Sequence, residues 1–236
     1  MKDQIRKSVL LAVAVLLFGT SGVSAQEGPS TAVSGGGVLV KGWTGQIDAK
    51  EKTAGMTLNN AKLAREGKAL RVTTGPAVTY WNPANTAKGD YTVSATFHEP
   101  KYMSINDHPH PYGIMIGGSD LGTESASYLY CAAYGDGRFI VRGFGPQPFQ
   151  LGGRAPKADP AVNKAAGVGQ PVTQEIAITV KGDTVTCSIN KKVVATFPRT
   201  EVVAPGRLKS TDGTYGLRFA HNTDATVTDF KKTKAP

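Results

Sequence analysis

The chain has 236 residues, 40% of them hydrophobic, and a formal net charge of +9. Its basic residues are scattered, apart from a tail at Lys231, Lys232 and Lys234, and no Arg/Lys run interleaves with aromatics. Nucleic acid is therefore not an expected partner, whereas weak attraction to acidic surfaces or glycans is.

The first 25 residues read as a signal peptide. Lys2, Arg6 and Lys7 form a positive leading region, and residues 9–18 are an unbroken apolar run. A run of about ten residues is too short for a hydrocarbon layer of roughly 30 Å. Val23-Ser24-Ala25 fits the small-residue cleavage pattern, which places the cut after Ala25. No cysteine follows the apolar run, which argues against a lipoprotein, and no other stretch is long and apolar enough to span a bilayer. The alternative is a retained membrane anchor. The expected mature chain is periplasmic or extracellular, with no stable membrane insertion. About 211 residues then remain, a length that suits one all-β domain. Losing Lys2, Arg6, Lys7 and Asp3 lowers the net charge from +9 to +7.

Residues 26–37 are rich in Gly, Ser and Pro and are expected to be a mobile leader before a domain spanning 38–236. A weakly patterned stretch follows Trp43. Short β-prone segments come next, at 69–73, at 78–81 before the Asn82-Pro83 break, and at 91–98. In 91–98, Tyr91, Val93, Ala95 and Phe97 share one face; Thr92, Ser94, Thr96 and His98 share the other. Residues 60–67 are the best place for one or two helical turns. Residues 113–117 form a short apolar strand.

Residues 127–144 carry the strongest local signal. Two runs rich in aromatic and β-branched residues flank Gly135-Asp136-Gly137, and Asp-Gly between alternating apolar residues predicts a hairpin. Leu129, Cys131, Ala133, Phe139 and Val141 fall on a small apolar face that suits a core. Tyr128, Tyr130, Tyr134, Arg138, Ile140 and Arg142 fall on a face that suits water or a ligand. This hairpin is expected at the centre of an antiparallel sheet.

Residues 145–171 hold five prolines (Pro146, Pro148, Pro156, Pro160 and Pro171) and read as a long loop, either a functional lid or a floppy insertion. As a lid it brings Phe149 and Arg154 to a ligand. Strands resume at 175–180 and 184–189 around Lys181-Gly182-Asp183, then at 193–197, 214–220 and 226–231. Few helices and regular turns indicate an all-β sandwich or jelly roll. Cys131 and Cys187 both fall on inward positions of their strands. An even pair in an oxidising compartment can be bridged; the alternative is two buried free thiols.

The order of these segments resembles the concanavalin A-like lectin/glucanase superfamily. The resemblance is carried by 90–97 (DYTVSATF), Gly113-Ile114-Met115-Ile116, Tyr128-Leu129-Tyr130, 176–180 with Gly182, and 185–189 with Asn190. It continues through Asp212-Gly213-Thr214-Tyr215-Gly216-Leu217-Arg218 and 226–231, and covers about 38–232. More narrowly, it is similar to the secreted 3-keto-disaccharide hydrolase group (domain of unknown function 1080) and to laminin-G-like domains. It implies a concanavalin-like jelly-roll sandwich of two antiparallel sheets. Three departures stand against an implied activity. Asn190-Lys191 replaces an Asn-Gly turn, Pro111-Tyr112-Gly113 replaces an Asn-Ser-Gly, and the Glu-x-Asp-x-x-Glu motif of laminarinase-type glucanases is missing.

On that fold the outer face of the central sheet is expected to carry Thr96, His98, Tyr128, Tyr130, Arg138, Arg142 and Arg218. Aromatic rings offer a polarised apolar face to sugar C–H groups, and guanidinium and phenol bind hydroxyls or carboxylates. A carbohydrate or small polar ligand is the expected partner, with the 145–171 loop as the rim of a concave site. The bland alternative is a solvated sheet face.

His108-Pro109-His110 places two imidazoles on one side of an extended segment. Asp107 with His98 or His221 would complete a metal site, against a simple Pro-rich loop with two surface histidines. Among the acids (Glu99, Asp107, Asp120, Glu124 and Asp136), Glu124 is the best lone general acid, with His98 as a second catalytic candidate. No Gly-x-Ser-x-Gly elbow or P-loop Lys-Ser/Thr is present. No acidic loop has calcium-ligand spacing, so calcium enters by analogy alone and no cofactor is expected. Three functions follow: an exported carbohydrate-binding domain, a sugar-cleaving enzyme, or an envelope domain that binds another protein without catalysis.

Overall fold

Stretches in which apolar and polar side chains alternate with period two become strands, as β-prone 91–98 and 184–189 do. The structure is a computed structural model that describes residues 28–236. The expected signal peptide and its cleavage site lie outside the described residues. In chain order the elements are β1 (Gly37–Val38), β2 (Thr44–Ile47), α1 (Ala49–Thr53), β3 (Lys62–Glu66), β4 (Ala69–Thr73), β5 (Val78–Ala87) and β6 (Tyr91–Glu99). Then come β7 (Tyr112–Ser119), β8 (Ser127–Ala133), β9 (Arg138–Phe144), β10 (Phe149–Leu151) and β11 (Lys157–Ala158). The chain closes with β12 (Val172–Lys181), β13 (Thr184–Ile189), β14 (Lys192–Pro198), α2 (Arg199–Val202), β15 (Gly213–Phe219) and β16 (Asp224–Lys234).

Two sheets face each other. The first runs β1-β3-β4-β16-β6-β12-β13-β14; the second runs β10-β9-β8-β7-β15-β5-β2, with β11 also on β9. Every pairing is antiparallel except β1 on β3. This is an all-β jelly-roll sandwich. Its core is built from the inward residues of both sheets, among them Phe97, Tyr112, Ile114, Leu129, Ile178 and Phe219. Phe97 sits 5.5 Å from the Tyr112 ring and 6.0 Å from Phe219, which joins β6 of one sheet to β7 and β15 of the other. Cys131 on β8 and Cys187 on β13 are joined by a disulfide across the same layer, with Cα atoms 6.1 Å apart.

Several expectations are corrected. Residues 60–67 do not form a helix: a short 3-10 turn at Leu58–Asn60 leads into β3, because Leu63 is fully buried and the segment pairs with both β1 and β4. The leader, from residue 28, is tied down. Ser30 Oγ donates to Glu51 (2.7 Å), Thr31 N–H to Asn222 Oδ1 (2.8 Å) and Val33 N–H to the Asn60 carbonyl (3.0 Å). Its glycines serve close approach there: a Cβ on Gly36 would stand 2.1 Å from the Asn59 carbonyl oxygen. The Asn82-Pro83 break does not end β5. Pairing to β15 jumps from Trp81 to Thr86, and a bulge carries Pro83 outside the ladder.

The hairpin forms, but β8 and β9 lie towards one end of their sheet, whose centre is β7 and β15. The 145–171 segment is not a plain loop. It returns twice to the free edge of β9, as β10 and β11, and satisfies backbone groups there.

Candidate pocket on the second sheet

The outer face of the second sheet is not an open platform. Trp81, Met115, Tyr128, Tyr130, Ala132 and Ile140 are all buried there as a second apolar cluster, with Tyr134 and Phe144 packed against it. A face expected to meet water is thus largely sealed, and beside the hairpin it borders a cavity of about 290 Å³. The cavity is lined by Tyr130, Tyr134, Arg138, Arg142 and Arg218 from the sheet, and by Asp48, Lys50 and three histidines from the surrounding loops.

Each side chain is positioned by register. Tyr130 lies directly opposite Arg142 across β8 and β9. Arg138 is held at the hairpin turn, where its Nε donates to Asp136 Oδ2 at 2.6 Å and its guanidinium lies 5.1 Å from the Tyr134 ring. Burial pushes the Tyr134 hydroxyl up to about 12, so it is a neutral donor at any ordinary pH. Burial also raises Tyr130. Arg142 is half-buried and meets no carboxylate among the described residues. Its charge is available to a ligand.

Arg218 and Tyr128 have a different place. Arg218 is buried and forms a two-pronged pair with Asp48, 2.6 Å at each oxygen. It also donates to Thr79 Oγ1 (3.3 Å), which in turn donates to the Tyr128 hydroxyl (2.8 Å). Burial opposes the charge on Arg218, but the Asp48 carboxylate outweighs it and holds the guanidinium above its ordinary range. The Arg218 guanidinium lies 5.6 Å from the Tyr130 ring and 5.3 Å from Phe144. Of this hydrogen-bonded series, Asp48 and Arg218 line the cavity, whereas Thr79 and Tyr128 do not. Asp48 carried no sequence signal, since it sits 170 residues from its partner in a stretch without clear periodicity.

His98 belongs elsewhere. It is exposed on β6 of the first sheet, with Nδ1 2.9 Å from Thr173 Oγ1, so it does not join the tyrosines and arginines of the second sheet. Glu124 is exposed in the loop between β7 and β8 and does not line the cavity. Phe149 packs over Gly143, Arg154 is exposed, and Pro156 is the residue of the 145–171 segment that reaches the cavity wall.

His108 and His110 do converge, and it is His221 that joins them. Their nitrogens lie within 4.8 Å of one another. The reason is register. Tyr112 pairs with Phe219, so residues just before β7 and just after β15 emerge side by side. Ala220 N–H donates to the Pro111 carbonyl at 2.9 Å and closes the gap.

No family model and no curated protein sequence matches the chain. Solved structures do. A Bacillus subtilis protein of unknown function with a galectin-like fold superposes with a TM-score of 0.57 at 13% identity, covering 89% of this chain and 97% of that one. The carbohydrate binding module CBM66 from Bacillus subtilis superposes at 0.52 and 10% identity, covering 84% and 99%. The endo-β-1,3-glucanase of Pyrococcus furiosus superposes at 0.50 and 11% identity, covering 78% and 85%. Likeness at this level of identity is likeness of fold, and the chain shares the two-sheet jelly-roll sandwich of these structures.

Proposed function

We propose that this chain is an exported carbohydrate-binding domain and that its ligand enters the cavity between Tyr130, Tyr134, Arg138 and Arg142, on the face taken as concave. The observation that carries the reading is the cavity itself. It combines tyrosine rings with an unpaired guanidinium, on a fold shared with a carbohydrate binding module. Rings pack on sugar C–H faces, and Arg142 offers a planar fork to paired hydroxyls or a carboxylate. The surplus of positive charge favours acidic sugars.

Asp48, the carboxylate that lines the cavity, is already engaged by Arg218; Asp136 and Asp107, behind the lining residues, are engaged by Arg138 and His108. Glycoside hydrolysis needs two carboxyl groups placed across the bond to be cleaved. The arrangement therefore supports binding over cleavage.

The test is calorimetric titration of the purified protein with neutral and acidic oligosaccharides. Tyr130→Ala and Arg142→Ala are each expected to weaken binding by about 10-fold or more, the usual worth of a ring contact or a charged hydrogen bond. Unchanged affinity in both variants would overturn the site.

A further inference from the structure

The sequence pattern His108-Pro109-His110 is not absorbed by sugar binding, and the fold adds a third imidazole to it. We propose that His108, His110 and His221 form a transition-metal site of the zinc class in the wall of the cavity. Four observations carry this. The first is convergence. His108 Nε2 and His110 Nε2 stand 2.8 Å apart, and the His221 ring centroid is 4.1 Å from that of His110. Tetrahedral zinc with nitrogen ligands at 2.0–2.1 Å requires about 3.3 Å between them. The close pair needs to part by about half an ångström, and the widest pair, within 4.8 Å, needs one ring rotation to close.

The second is the partner behind the ligand. Asp107 Oδ1 lies 2.5 Å from His108 Nδ1. A carboxylate on one ring nitrogen keeps the proton there and turns the lone pair of the other outward, the arrangement typical of metal-binding histidines. The third is the frame. Pro109 and Pro111 stiffen one side. Asn222, next to His221, is clamped by its N–H to the Gly75 carbonyl (3.0 Å) and by Thr31 N–H to its side chain (2.8 Å). His110 and His221 are buried and His108 is half-buried, so the rings are held before any ion arrives.

The fourth is the donor type and the open side. Three imidazole nitrogen donors select zinc, cobalt, nickel or copper over calcium, which prefers oxygen. Three protein ligands leave a fourth position, and all three histidines line the same cavity as Arg142. With that cation nearby, the fourth ligand is expected to be anionic: hydroxide, or a carboxylate or ionised hydroxyl of the bound molecule.

The experiment uses tag-free protein stripped by chelator and contains no sugar, so it stands or falls apart from the carbohydrate reading. Zinc is titrated by calorimetry, and cobalt(II) by visible absorption. The expected result is one ion per chain, strong four-coordinate cobalt bands that zinc displaces, and no saturable binding of calcium at this site. His221→Gln and His108→Gln are each expected to weaken zinc by at least tenfold, and Asp107→Asn by about tenfold. Melting in the absence of metal identifies any variant that fails to fold; the half-buried His108 supplies the fallback to the buried His221. Absence of one-to-one binding in the wild type overturns the site, as does zinc affinity unchanged in a folded His108→Gln variant.

Discussion

Glu99 ends β6 beside Tyr112 and is buried. Burial pushes its carboxyl up to about 7, against the Met103 amide and the Tyr112 hydroxyl, which favour the charged form; Asp224 adds a smaller upward push. In an unfolded chain the same group titrates near 4.3. Between about pH 4.5 and 7 the folded protein keeps a proton that the unfolded chain releases, so stability falls as pH rises through that window and levels off above it. At ~1.4 kcal/mol per unit, the loss attributable to Glu99 is about 3–4 kcal/mol. Glu99→Gln is expected to remove that part of the slope, read as the difference between wild-type and variant urea midpoints from pH 4.5 to 7.5. Parallel pH profiles would exclude the assignment. Composition ranked Glu99 no higher than Glu124, because burial alone separates them, and burial is not written in either residue's neighbours. Arg218 and Tyr128 make the same point. Their residue types and strand parity fit a ligand face, yet Asp48 and Thr79 occupy them.

At the scale of elements, β8 was legible down to its parity. Leu129, Cys131 and Ala133 do face the core, as alternation requires. What alternation did not disclose is that the opposite face is also buried, since that depends on Trp81 of β5 and Met115 of β7 arriving beside it. The 145–171 segment misled because Pro and Gly mark turns but do not reveal a sheet edge waiting to be paired. The disulfide belongs to this scale too. It joins β8 to β13 across the sandwich and closes a separation of 56 residues. Constraint of the unfolded chain over such a loop is worth about 4 kcal/mol in the chain-entropy treatment, and native bridges usually deliver 2–4. A Cys131→Ala, Cys187→Ala double variant is expected to lose about that much in urea unfolding, with reductant abolishing the difference from wild type. If reductant leaves wild-type stability untouched, the bridge contributes nothing.

For the whole molecule, the relevant quantity is charge. At +7 for the expected mature chain, with Arg138, Arg142 and Arg218 lining one cavity against Asp48, a positive field is expected towards that side. An acidic oligosaccharide is expected to bind several-fold more weakly at 0.5 M than at 0.05 M salt, where the screening length shrinks from roughly 14 Å to 4 Å. A neutral oligosaccharide of the same length is expected to change little. Equal salt dependence for both, measured by titration calorimetry, would remove charge from the account of recognition.

The sequence by itself determined that the chain is built of short strands, how side chains divide between the two faces of β6, β8 and β9, and where the principal hairpin turns. Those are local properties: period-two alternation and turn chemistry act over a few residues, and the code for them is read within one strand. Only the tertiary structure decided which strands neighbour one another, and with that everything about the site. His221 was chosen over His98 because β7 pairs with β15 while β6 lies in the other sheet. Asp48 reached Arg218, and the tyrosine face was sealed by Trp81 and Met115, for the same reason. Pairings across more than a hundred residues are settled by how two whole sheets close on a shared core, and no single segment carries that information.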